Sequence, residues 1–161
     1  IFITGDHGLA DAAPMSLAHG LLAAEMGMNL QMALGWRRHL LLHASSVEKD
    51  GRALVMTGES GSGKSTLAAL LGERGWRLPF PRLVSLKNQA IGVVKDVVGA
   101  QRMGPMLQAT AKGDIRHLVP RPDAVARMAQ GAMPAMLLFP RFGHDAAIRP
   151  VGQGEAFMRL T

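Results

Sequence analysis

The 161-residue chain has no cysteine and no tyrosine, and its aromatic side chains come to five phenylalanines and two tryptophans. Without cysteine there is neither a disulfide framework nor a thiolate metal site, a composition that fits a reducing cytoplasm. Leucine, alanine and eleven methionines must fill the interior in place of rings. Apolar runs are short: nothing approaches the roughly 18 residues of a membrane span, and no signal-peptide pattern is present, so no membrane partner is expected. Basic residues outnumber acidic ones, for a net charge of +6. They are scattered (Arg37, Arg38, Lys49, Arg52, Lys64, Arg74, Arg77, Arg82, Lys87), in no run and with no interleaved aromatics for base stacking, which disfavours a nucleic-acid partner. A triphosphate together with an acidic or phosphorylated substrate accounts for the same excess.

What is present is organised around residues 55–66, VMTGESGSGKST. Gly58, Glu59, Ser60, Gly61, Ser62, Gly63, Lys64 and Ser65 fit the phosphate-binding pattern GxxxxGK[ST] without a mismatch, and Thr66 follows. Residues 52–57 read as a buried strand. Residues 66–74 read as a helix with Leu67, Leu70 and Leu71 on one face. In that context the glycines let backbone amides curl round a phosphate chain, and the helix start adds its positive dipole end. Lys64 then reaches the β- and γ-phosphates and the Ser65 hydroxyl ligates Mg²⁺. A flexible turn that merely carries a lysine would not explain the flanking strand and helix. The reading is a nucleoside triphosphate site.

The length suits one domain with a proper core. The opening Ile1, in place of Met, is expected of a fragment. Residues 1–4 read as a strand end and 5–13 as a loop. Residues 14–36 read as a helix, with Pro14 in its first turn and Leu17, Leu21, Met28, Met32 and Leu34 as a core-facing stripe. Residues 40–47 read as a strand, and 48–51 carry the Asp-Gly hairpin signal leading straight into the 52–57 strand. A hairpin feeding the glycine loop argues for an α/β fold with a mixed sheet. After a turn at Gly75, residues 76–78 begin another strand, interrupted by Pro79 and Pro81. Ser85 caps a helix over 86–98, which Gly99 ends. Residues 100–114 read as loop and 115–119 as a strand. A short helix is expected over 122–128 with its cap near Asp123, then a buried strand over 136–139 and a helical turn over 155–160. His7, His19, His117 and His144 lack metal-ligand spacing.

Three stretches together resemble the HPr kinase/phosphorylase family, most closely its HPr-kinase-related group. They are residues 42–47 (LHASSV) ahead of the loop, Arg74-Gly75-Trp76-Arg77-Leu78 after it, and 85–94 (SLKNQAIGVV) closing on Gly99-Ala100. The resemblance covers residues 40 to 100. It implies an HPr kinase/PEP carboxykinase-like P-loop kinase domain that transfers phosphoryl from ATP, with Mg²⁺, to a serine of a protein substrate. It also implies that Lys64 and His43 are the catalytic pair, with His43 near the acceptor; the plain alternative is a strand-end histidine satisfied by backbone. Homo-oligomers occur in the family. Two departures stand out. The family's acidic pair after the arginine-glycine stretch is missing, which reads either as a segment lost between Leu78 and Pro79 or as true loss of the base. The latter would leave a silent nucleotide-binding module; a small-molecule kinase is the third reading. Ser85 stands where the family has a metal-holding Glu, and Lys87 where it has Arg; a capping Ser85 and a solvated Lys87 are the plain alternative. Lys112, Arg121 and Arg141 lie in loops able to close over phosphates or simply to carry surface charge.

Overall fold

The computed structural model describes residues 16–35, 41–79, 83–143 and 146–160. The expected strand end at 1–4, the loop at 5–13, Pro14, His7, Arg37, Arg38 and His144 lie outside them. The chain divides into two compact units, residues 1–39 and 40–161.

In the first unit the helix is present as α1 (Leu17–Gly35). Its stripe is not core: Leu17, Leu21, Met28 and Leu34 are all exposed, as are Met26 and Leu30. The apolar residues are spread round the helix, so no polar face opposes an apolar one and helical spacing alone says nothing about burial.

The second unit is α/β, with one mixed and one antiparallel three-stranded sheet. Strands β1 (Ala44–Lys49) and β2 (Arg52–Thr57) form the hairpin. Its turn residues Asp50 and Gly51 have φ of 53° and 76°, the pair of positive angles that suits right-twisted strands and that Asp-Gly supplies cheaply. β1 begins later than expected because Ala44 already pairs with Thr57. Beyond Thr57 the chain enters the glycine loop, so Leu41 to His43 have no strand to pair with. From that loop the chain passes into α2 (Lys64–Gly72). The strand expected over 76–78 shrinks to one bridge, Glu48 to Arg77.

Next come β3 (Val84–Lys87) and α3 (Gln89–Val98). The capping role expected of Ser85 is therefore corrected: it lies inside β3 opposite His117, and Asn88 is the N-cap of α3. Pairing with a long-range partner overrides the local cap-and-helix pattern. Gly99 does end α3. The region expected as loop folds as a single 3-10 turn and β4 (Met103–Thr110), which pairs antiparallel with β5 (Gly113–Leu118). The order in this sheet is β3-β5-β4. Helix α4 (Pro122–Ala126) has Pro122 in its first turn, and Asp123 pairs with Arg121 and Arg127 instead of capping. β6 (Met133–Leu138) then lies parallel to β2, and α5 (Gln153–Met158) closes the description. β6 was expected to be buried, yet Met133 and Met136 are exposed. It is an edge strand, which also explains how it tolerates Pro134.

Helix α2 sits between two apolar cores. Ala69 joins Leu86, Ile91, Val94, Val98, Met103 and Leu118. Its neighbour Ala68 joins Val47, Met56, Leu78 and Ala124. Consecutive small residues let one helix be buried on two sides, while Leu67 and Leu71 reach one core and Leu70 the other.

Candidate functional site

The carboxyl end of β2 opens directly into residues 58–63. Three glycines there take positive φ: Gly58 139°, Gly61 88° and Gly63 96°. These angles strain any residue with a Cβ, so the loop's path is written in its glycines. Gly63 is also the N-cap of α2, and the first helical bond runs from Leu67 N–H to its carbonyl. The amides of Lys64, Ser65 and Thr66 precede that bond, at the positive end of the helix dipole.

Lys64 is buried, only 8% exposed, and its ammonium lies inside the loop. Nζ donates to the carbonyls of Gly58 (2.6 Å) and Glu59 (2.7 Å) and to Ser62 Oγ (3.4 Å). Burial, then the charge of Lys87, holds its pKa below the ordinary 10.5. Lys87 Nζ in turn donates to Ser60 Oγ at 3.4 Å. Its own pKa is lowered by burial and then by Lys112. Lys87 thus repels Lys64 at the loop and Lys112 repels Lys87 behind it, and none of the three joins an ion pair among the described residues. A run of unneutralised cations beside helix-start amides costs folding energy that an oligoanion would return.

The topology that brings them together is specific. β3 carries Lys87 at its last position, paired with Ile115 of β5. The β4–β5 hairpin carries Lys112 at its tip. There Thr110 Oγ1 donates to the Gly113 carbonyl (2.6 Å) and accepts from Lys112 N–H (3.2 Å). Asn88 ties the two elements: its N–H donates to the Asp114 carbonyl (3.0 Å), and its Oδ1 accepts from Asp114 N–H (3.1 Å). A Cβ on Gly113 would stand 2.4 Å from Asn88 Oδ1. Only glycine fits there. Asn88 itself has φ 49° and ψ −124°, and Ala109 has φ 53°, so backbone strain gathers at this corner. Asp114 Oδ1 accepts from Ala109 N–H at 3.2 Å. Strand pairing puts its backbone against Asn88, the residue after Lys87, a placement of which local sequence gave no sign.

The other expected residues fall as follows. Ser65 and Thr66 lie in the first turn of α2. Glu59 contributes its carbonyl to Lys64 and turns the loop through a bond from Ser62 N–H (3.3 Å). His43 is exposed, just before β1, and its carbonyl accepts from Thr57 Oγ1 at 3.5 Å. That puts its backbone beside Thr57, the residue from which the loop departs. Arg121 is taken up by Asp123. Arg141 is exposed next to Phe142, whose Cβ is 3.9 Å from where a Cβ of Gly63 would be. Residues 80–82, beside the Leu78–Pro79 junction, lie outside the described residues.

Among the described residues no three His, Asp or Glu side chains are grouped to hold a metal. The Ser65 hydroxyl is what the loop itself offers, and Mg²⁺ commonly takes one or two protein ligands beside substrate phosphates. No helix among the described residues is long and apolar enough to cross a membrane. A separate hollow of about 330 Å³ lies on the opposite face of β2, lined by Ser46, Ala53, Val55, Pro79, Met128 and Pro134 among others. Among the described residues that line it, none is charged. Set against family models, curated proteins and solved structures, the chain matches none of them.

Proposed function

We propose that the chain binds the triphosphate of ATP in residues 58–66, with Mg²⁺, and transfers the γ-phosphoryl group to a serine of a protein substrate, as an HPr-kinase-like P-loop enzyme. The observation that carries this reading is the buried Lys64 ammonium inside a loop of positive-φ glycines, with Lys87 beside it. The loop amides and Lys64 hold the phosphates, and Ser65 offers its hydroxyl to the metal. When bound, Mg²⁺ offsets charge on the phosphate oxygens. In the transfer, the acceptor Oγ bonds to the γ-phosphorus as the bridging P–O bond breaks, leaving ADP. The acceptor proton goes to Asp114, and His43 flanks the mouth. Such chemistry asks chiefly for positioning and charge neutralisation.

A second reading, the silent nucleotide-binding module, is favoured by one observation: Ser85, where the resemblance would put a metal-holding Glu, lies in β3 and supplies no carboxylate. Radiolabelled ATP incubated with the chain and candidate acceptor proteins separates the two. Phosphotransfer that Asp114→Asn abolishes without loss of ATP binding supports the kinase. ATP binding with no transfer to any acceptor supports the module. Lys64→Ala should weaken ATP binding by about 100-fold, the scale of two charge-assisted hydrogen bonds. Unchanged affinity in that variant would sink both readings.

A further inference from the structure

The nucleotide reading leaves the base unplaced, because a glycine loop grips phosphates. The end of β6 supplies a surface for it. β2 and β6 are parallel neighbours, with Met56 beside Leu138, so their exit loops leave the same edge of the sheet side by side. Ligands of α/β proteins settle in crevices outside the carboxyl ends of such strands. The exit loop of β2 is the glycine loop. That of β6 carries Arg141, Phe142 and Gly143, with a turn at Phe142 and Gly143, the latter at φ 85°. Phe142 lies beside the glycine loop at Gly63, its Cβ 3.9 Å from where a Cβ added to that glycine would stand, while the residue stays 72% exposed. A phenylalanine left this exposed beside the glycine loop is unusual in a chain with only seven aromatics.

We propose that Phe142 is the platform on which the nucleotide base stacks, resting on the triphosphate reading above. The loop then has a direction. Its Ser60 side, met by Lys87 and backed by Lys112, receives the terminal phosphates. Its Gly63 side, met by Phe142, receives the nucleoside. A ring face reads no base edge, so purines are held with little discrimination between adenine and guanine.

The test is calorimetric titration of the full chain with ATP, GTP and inorganic tripolyphosphate, each with Mg²⁺. Phe142→Ala should weaken ATP and GTP alike by about ten-fold and leave tripolyphosphate unchanged. Phe142→Leu, which keeps apolar bulk without a ring face, should behave like Phe142→Ala, and Phe142→Trp should hold ATP at least as tightly as Phe. Unchanged ATP affinity in Phe142→Ala, with tripolyphosphate still bound, overturns the platform and spares the loop. So does an equal loss for all three ligands, or full affinity in Phe142→Leu. A wild-type chain that binds none of the three overturns the loop reading, and the platform falls with it.

Discussion

Both sheets press an apolar core against α2, but the polar bonds that surround those cores differ. On the mixed-sheet side a buried polar cluster stands beside the apolar core. Arg77 Nε donates to Glu48 Oε2 at 2.6 Å, both side chains nearly sealed from solvent. Its other two nitrogens donate to the carbonyls of Arg127 (3.1 Å) and Gln130 (3.0 Å), and Glu48 Oε1 accepts from Gly51 N–H (2.6 Å). One guanidinium thereby fixes the hairpin turn, the segment after α2 and the approach to β6. On the antiparallel side the core is an apolar seam, Leu86, Val94 and Leu118 against Ala69, and its polar bonds are a half-buried ion pair from Arg102 to Glu73 at the end of α2 (2.6 Å) and the strained Asn88 corner. Directional bonds fix the register of the strands that present the loop. The apolar seam tolerates a strained corner where the lysines converge.

Breaking the buried polar cluster should have the largest effect. Arg77→Ala strands a buried carboxylate and two carbonyls, and should cost about 3–5 kcal/mol in urea unfolding. Arg77→Lys keeps the charge but not the fork and should recover only part of it. The Gly51 amide, then Arg77, holds the Glu48 carboxyl below its ordinary pKa. The stability it contributes is therefore full above its unfolded value of 4.5 and lost as the pH falls through the lower folded one. In Arg77→Ala this loss on the acid side should shrink. A variant within about 1 kcal/mol of wild type would mean that the two sides do not differ in this way.

The strained corner comes next. Asn88→Ala keeps a Cβ at φ 49° and loses the bond to Asp114 N–H, and should cost about 1–3 kcal/mol. Asn88→Gly loses the same bond but relieves the backbone, so it should cost less. Faster amide exchange at residues 109–114 should accompany both. If the glycine variant is the less stable of the two, Asn88 is not strained and the corner is ordinary.

How much of this was readable follows the same division. The polar side was largely legible. Asp50-Gly51 fixes a two-residue hairpin by φ alone, and β2 came out with the expected bounds because turn and glycine loop punctuate it. The glycine loop was equally plain. The antiparallel side was not. Residues 103–110 (MGPMLQAT) have no β-branched residue except their last, and become a strand only by pairing with β5. Ser85 resembled a cap for the same reason: its true partner lies 32 positions on, at His117. The approach of Lys112 to Lys87 depends on those pairings, so no local window could show it. Nor could one show Phe142, whose neighbour Gly63 is reached only through the parallel pairing of β2 with β6.

The smallest effect should have opposite signs for stability and for binding. Lys64 and Lys87 have pKa values lowered by burial and by a neighbouring lysine. Between the folded values and the ordinary 10.5 the unfolded chain binds more protons, so stability rises with pH through that window. Below it, each ammonium is a small charge on folding. Lys87→Gln removes one of them and should stabilise the free chain by up to about 0.5 kcal/mol, since Lys87 is half-buried and screened. That is a rise in Tm of about 1–2 °C for a chain of this size. The same substitution should weaken tripolyphosphate about ten-fold and flatten the alkaline rise in stability. A solvated surface lysine would move neither quantity, and a structural one would move both downward. Only a cation held in place for an anion gains stability on removal while its ligand is lost.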